Sequence, residues 1–279
     1  AAAVRKLLAQ IAEAGRGTAK KVFTPEMIRS AAKRFKKKTS TGTDHWTFSE
    51  IILMPDAALT TLGHLLSDIQ HSGTPPLQMM QNIMATLPKK CGGTRTVAIA
   101  ATLYRLLMEL DNEEVAEYER LNAFHGDSAT AGSSAVRAAE DRALMAELET
   151  IEGKKTVTFL WDLKKFFDSI NIPMLVDEAE RTEFPLKQLA LSLAVHLAPR
   201  RLRLGKAVGM PILEIGQSIL AGCKRSTHLA RVYTVTAIKD LDEEHEHVST
   251  GQHVDDVSNL AVGDDDNQLI NNAVKYAVH

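Results

Sequence analysis

Two adjacent aspartates, Asp255 and Asp256, stand between valines in a stretch that otherwise alternates like a β-strand, His253-Val254-Asp255-Asp256-Val257. Neighbouring carboxylates repel, and apolar surroundings disfavour their charged forms unless a cation joins them. The tip of a hairpin tolerates such a pair, so residues 248–254 and 257–262 are expected to form one, turning at Asp255-Asp256. A second segment ends in the same chemistry. Residues 156–161 read as a strand with Val157, Phe159 and Trp161 on one face, and Asp162 closes it. Taken alone, each stretch also reads as a strand that ends in a polar turn. Taken together, Asp162, Asp255 and Asp256 form an oxygen-donor set for hard divalent cations, Mg²⁺ or Mn²⁺, two of which sit about 3.5–4 Å apart in two-metal sites.

The rest of the chain supplies the frame. Val4, Leu7, Leu8 and Ile11 recur at helical spacing, and a helix is expected after Thr24 with Pro25 in its first turn. Further helices are expected over 55–71, 77–84, 103–110, 135–151, 172–182, 186–197 and 223–239. Residues 87–99 read as a hairpin around Gly92-Gly93, and 201–214 as another. An acidic loop over 240–247 and a last helix capped by Asp264 complete the reading. Its run Asp242-Glu243-Glu244-His245-Glu246-His247 reads as surface residues rather than a metal tract. Cys91 and Cys223 are too few for a disulfide scaffold and read as free thiols. No apolar run reaches the roughly 20 residues that span a bilayer, so no membrane role is expected.

Net charge is −2, yet it is unevenly spread. Residues 1–38 carry eleven Lys and Arg against two acidic residues, whereas 240–279 carry ten acidic residues against one Lys. The basic end is expected to meet nucleic-acid phosphates.

The ordered motifs resemble those of reverse transcriptases of the non-LTR and group II type. The segments around Asp162 and Asp255-Asp256 are similar to the two carboxylate motifs of that family's palm. Thr41-Gly42-Thr43-Asp44 resembles an element that opens its fingers. The Lys-rich hairpin ending in Thr94-Arg95-Thr96-Val97-Ala98-Ile99, with Tyr104-Arg105, resembles the fingers motif that grips the triphosphate. Gly126 to Ala135 resembles the next block, and Ser218 to Thr227 the block between the two carboxylate motifs.

The resemblance implies an α+β right-hand fold of fingers and palm, with an antiparallel palm sheet backed by helices and the thumb absent. It places basic N-terminal helices at 1–38, fingers at 39–150 and palm at 151–279. It implies RNA-templated DNA synthesis by two-metal nucleotidyl transfer, with an RNA template, a DNA primer and dNTPs as partners. Asp162, Asp255 and Asp256 would be catalytic and hold two Mg²⁺ (or Mn²⁺) ions. Lys89, Arg95, the Leu163 carbonyl, Phe167, Gly222 and Ser226 would bind the nucleotide. Phe167, five positions after Asp162, would be the ring that excludes a ribose 2′-hydroxyl. The setting implied is intracellular and nuclear, with thumb and endonuclease regions elsewhere in a parent polyprotein. Three departures stand out: His253 replaces an aromatic residue, Ala221-Gly222 and Ser226-Thr227 replace Gln-Gly and Ser-Pro, and Thr96 follows Arg95 in place of Pro. Two other readings remain: an inactive nucleic-acid-binding remnant of such an element, and an RNA-copying RNA polymerase.

Overall fold

The computed structural model describes residues 19–90 and 92–278, together with Lys6 and Gln10. The helix expected around Val4–Ile11 and the thiol of Cys91 lie outside the described residues. From the N-terminal side come α1 (Pro25–Lys33), α2 (Phe48–Leu53) and α3 (Asp56–Ser72), then strands β1 (Asn82–Pro88) and β2 (Thr94–Ile99). Helices α4 (Thr102–Leu110), α5 (Glu113–Asn122) and α6 (Ala135–Ile151) lead to β3 (Lys155–Asp162). Next are α7 (Phe166–Ser169), α8 (Ile172–Arg181), α9 (Leu186–His196), β4 (Arg200–Leu204) and β5 (Ala207–Ile212). Then follow α10 (Lys224–Glu244), β6 (Val248–His253), β7 (Asp256–Gly263) and α11 (Asp266–Val278). The fold is α+β, with two separate sheets. Among the described residues no helix is long and apolar enough to cross a membrane.

Local chemistry explains several helix starts. The Thr24 hydroxyl accepts the Met27 N–H and Pro25 follows it, which starts α1. Thr47 and Glu50 form a reciprocal capping box at α2, a helix absent from the sequence expectation. Ser134 caps α6, whose bounds match those expected. At α11 the cap is Asp265, not Asp264: its carboxylate accepts the Gln268 N–H at 2.8 Å. The acidic loop begins later than expected, because α10 continues through Glu244.

The chain forms two compact units. The first comprises residues up to Tyr118 together with Phe167–Leu229. Its mixed sheet has the order β2-β1-β4-β5, with β1 and β4 parallel and the other pairs antiparallel. The helix expected over 77–84 is therefore replaced by a turn and then β1. Asn82 pairs in parallel register with Arg200, and its amide donates to the Val195 carbonyl at 2.7 Å. Partners more than a hundred residues away override a helical spacing of Leu77, Met80 and Met84. The core gathers Ile28, Ile51, Leu59, Leu66, Leu106 and Leu107 with Leu191 and Leu220.

Two buried polar features mark this unit. The fully buried Arg225 guanidinium donates to Asn112 Oδ1 (2.9 Å), the Asp111 carbonyl (2.8 Å) and Gln188 Oε1 (3.2 Å). The Asp111 carboxylate in turn accepts from Lys21 at 3.0 Å and from Gln188. Such an arrangement avoids the cost of an unpaired buried charge. His196 is the opposite case. It is fully buried, neither ring nitrogen has a hydrogen-bond partner among the described residues, and burial, reinforced by the Arg200 charge, pushes its pKa down to about 3.

The second unit comprises Glu119–Phe166 and the residues from Ala230 onward. Its sheet is antiparallel throughout, in the order β3-β7-β6. Val157 and Phe159 of β3 pack with Val248, Ala261, Ala273 and Tyr276, so α11 covers one face. The alternate residues Thr158 and Leu160 look to the other side, where α6 runs. The nearly buried Arg231 of α10 is saturated by ion pairs to Asp127 and Glu119.

Candidate functional site

The antiparallel register of β3 and β7 sets Asp162 directly opposite Asp256. Directly paired residues on neighbouring antiparallel strands have Cβ atoms about 4.5–5.5 Å apart, so two carboxylates there share one patch. Trp161 helps hold this register, its indole N–H donating to Asn259 Oδ1 at 2.8 Å. The hairpin of β6 and β7 turns at Val254-Asp255, one residue earlier than expected, so Asp256 belongs to the strand and Asp255 to the loop. Asp255 is half-buried, while Asp162 and Asp256 are exposed.

Partial burial pushes the Asp255 carboxyl above its ordinary pKa, and the Asp256 and Asp162 carboxylates push the same way. The cluster thus carries mutual repulsion that a bound cation would relieve. Its all-oxygen donors are of the kind that suits hard divalent ions. Among the described residues no three His, Cys, Asp or Glu side chains are gathered at coordinating geometry.

Val254 has φ +61°, in the left-handed region that a β-branched residue avoids. Backbone strain of this kind costs about 1–3 kcal/mol and persists where surroundings impose it. Val254→Gly is therefore expected to stabilise this unit by about 1 kcal/mol after the added unfolded-state entropy of glycine. Urea unfolding followed by Trp161 fluorescence in a Trp46→Phe background measures it, and a lowered midpoint would show that the turn is not strained.

His253 pairs across the hairpin with Asp256. Its Nδ1 lies 3.1 Å from Ser128 Oγ, whose proton goes to the Gln252 carbonyl at 3.1 Å. A hydroxyl rather than ring packing thus orients this side chain. Ser128 falls within the block from Gly126 to Ala135, but nothing in the sequence pairs it with His253.

A cleft of about 530 Å³ opens beside the carboxylates, lined by Asp162, Asp256, His253 and Trp161 from the sheet and by Arg142 from α6. No known protein-family profile matches this chain. No curated protein is significantly similar to it. The chemistry of the site therefore rests on its own residues.

The other expected site residues fall as follows. The Leu163 carbonyl accepts the Phe166 N–H at 3.2 Å, closing the turn after β3. The two consecutive aromatics separate: Phe166 is buried in the second unit, whereas Phe167 opens the second segment of the first unit and stays partly exposed. Lys89 and Arg95 project from the exposed end of the β1–β2 hairpin in the first unit. Gly222, with φ +94°, packs against that hairpin, and a Cβ there would lie 2.7 Å from Val97 Cγ1. Its glycine character is thus demanded by a neighbouring strand. Ser226 is buried and its hydroxyl donates to the Leu220 carbonyl, so in this structure it ties the loop rather than offering a donor to a ligand.

Proposed function

We propose that this chain carries the fingers and palm of a right-hand polymerase resembling a reverse transcriptase, which copies RNA into DNA inside the nucleus. The observation that supports this most is the strand-to-strand pairing of Asp162 with Asp256, with Asp255 in the adjoining turn. Asp162, Asp255 and Asp256 would hold two divalent ions, which lower the pKa of a primer 3′-hydroxyl and stabilise the departing pyrophosphate. The protein's own contribution is placement. β3 and β7 fix the backbones of Asp162 and Asp256 by strand pairing, with Asp255 in the adjoining turn, so this charge is in position before substrate arrives. Ser128 holds His253 beside Asp256. By the resemblance, Lys89 and Arg95 neutralise the triphosphate, matching its oxygens with guanidinium and ammonium donors.

Phe167 sets the sugar preference in this reading, because its ring would collide with a ribose 2′-hydroxyl. Phe167→Ala is expected to relax discrimination between dNTPs and NTPs by about 10–100-fold, a range typical of a single steric contact. Competing single-nucleotide incorporation reads the ratio, and an unchanged ratio would remove Phe167 from that role.

The test of the function is primer extension on an RNA template with Mg²⁺ or Mn²⁺, comparing dNTPs with NTPs. DNA synthesis from dNTPs is the expected result. Extension with NTPs alone would point to an RNA-copying RNA polymerase. Binding of primer–template without any extension would point to an inactive remnant.

A further inference from the structure

The cleft beside the carboxylates adjoins a second one of about 450 Å³, and the two share Gly126, Ser128, Ala138 and Arg142 as walls. Both lie within the second unit. Arg142 therefore stands where one cleft passes into the other. Its guanidinium is half-buried against the backbone of Gly251, where an added Cβ would lie 3.0 Å from Arg142 Cζ. Among the described residues it has no ion-pair or hydrogen-bond partner, and burial lowers its pKa with no carboxylate acting to raise it. The contrast within this unit is sharp, because Arg231 is satisfied by Asp127 and Glu119. A half-buried guanidinium without an anion is costly, and its planar donors match a phosphate.

A second cation continues the path. Arg137, in the first turn of α6, lines the second cleft beside Ser133 and Ser134 and is exposed. Asp141 also lines that cleft and Asp127 is committed to Arg231. Arg137 and Arg142 stand five positions apart on α6, about 7.5 Å along its axis, and both line the second cleft. Two guanidiniums along one groove suit a ligand with repeated phosphates, as a nucleic-acid strand has.

We propose that Arg142 grips a backbone phosphate of a nucleic-acid strand lying along this double cleft, immediately beside the Asp162–Asp256 pair. The proposal deepens the polymerase reading and rests on it. Arg142 acts as a positioning residue: it fixes the strand and touches no reacting atom.

The test is fluorescence polarisation of a labelled DNA primer on an RNA template, bound by the full chain in EDTA and titrated with NaCl. Arg142→Gln is expected to weaken binding about tenfold, as for a lost charged hydrogen bond, and to make the slope of log K against log salt shallower by about one. Arg142→Lys is expected to keep the slope and lose part of the affinity, since it keeps the charge but not the fork. Wild-type affinity and slope in Arg142→Gln would overturn the proposal while leaving polymerase activity, measured by extension in the same preparation, as a separate result. Arg142-dependent binding of free dNTP that leaves the strand's salt slope untouched would also overturn it. Failure of the wild-type chain to bind primer–template would overturn both readings.

Discussion

Asp255→Asn is expected to lower primer extension at least about a thousandfold, a loss of roughly 4 kcal/mol of transition-state stabilisation. The same change is expected to leave the hairpin as stable as before, or more so, in the absence of divalent ions. The reason is electrostatic. Burial and the neighbouring Asp256 and Asp162 carboxylates already disfavour a charge at position 255. Removing that charge relieves the repulsion and takes away an oxygen donor of the proposed metal site. The two effects separate in one pair of measurements. Single-turnover extension reports the first. Thermal unfolding with and without Mg²⁺ reports the second, because a ligand that binds only the folded state raises its midpoint. Mg²⁺ should raise the midpoint of the wild-type chain and not that of the variant. Extension by Asp255→Asn within tenfold of wild type would sink the assignment of this carboxylate.

The second large effect concerns acid stability of the first unit. His196 is neutral in the fold down to a pKa of about 3, whereas in the unfolded chain a histidine takes up its proton near pH 6.5. Between these values the unfolded state binds the extra proton. The stability contributed by His196 is thus fully present above about pH 6.5 and is lost as pH falls towards 3. The slope is up to about 1.4 kcal/mol per pH unit, so acidification from pH 6.5 to 4 should cost about 3 kcal/mol. His228 is pushed down to about 3 as well, by burial and then by the Arg225 and Lys224 charges, and acts in the same direction. Replacing His196 by Leu removes the titrating group and leaves the backbone carbonyl that accepts from Arg200 at 2.9 Å. Urea unfolding of His196→Leu, followed by Trp46 in a Trp161→Phe background, should show a shallower pH dependence between 6.5 and 4. An identical dependence in the variant would assign the acid sensitivity elsewhere.

Much of the architecture was legible residue by residue. Helix α6 has the expected bounds because Ser134 caps it and its helix formers are local signals. The hairpin around Gly92-Gly93 was legible because both glycines take φ above +70°, as the turn requires. The capping box of Thr47 and Glu50 is an equally local signal of a helix start. The segment over 77–84 differs from its local signal for a different reason. Its apolar spacing is helical, and only pairing with β4 makes it a strand.

The candidate site divides in the same way. Asp162, Asp255 and Asp256 stood out in the sequence as carboxylates in apolar strand contexts, and alternation alone put two of the segments in strands. Ser128, Gly251 and Arg142 carried no comparable signal, and Gly222 and Ser226 carried one whose structural use turned out to lie within the fold. The sequence by itself determined the helix caps, the turns and the carboxylate-bearing strands, because these follow from side chains within a few positions of each other. The tertiary structure alone decided that Asp162 faces Asp256, that β1 runs parallel to β4, that Gly222 meets Val97, and that Arg142 has no anion among the described residues. Strand register and the pairing of buried charges depend on groups far apart in the chain, and no local period encodes them.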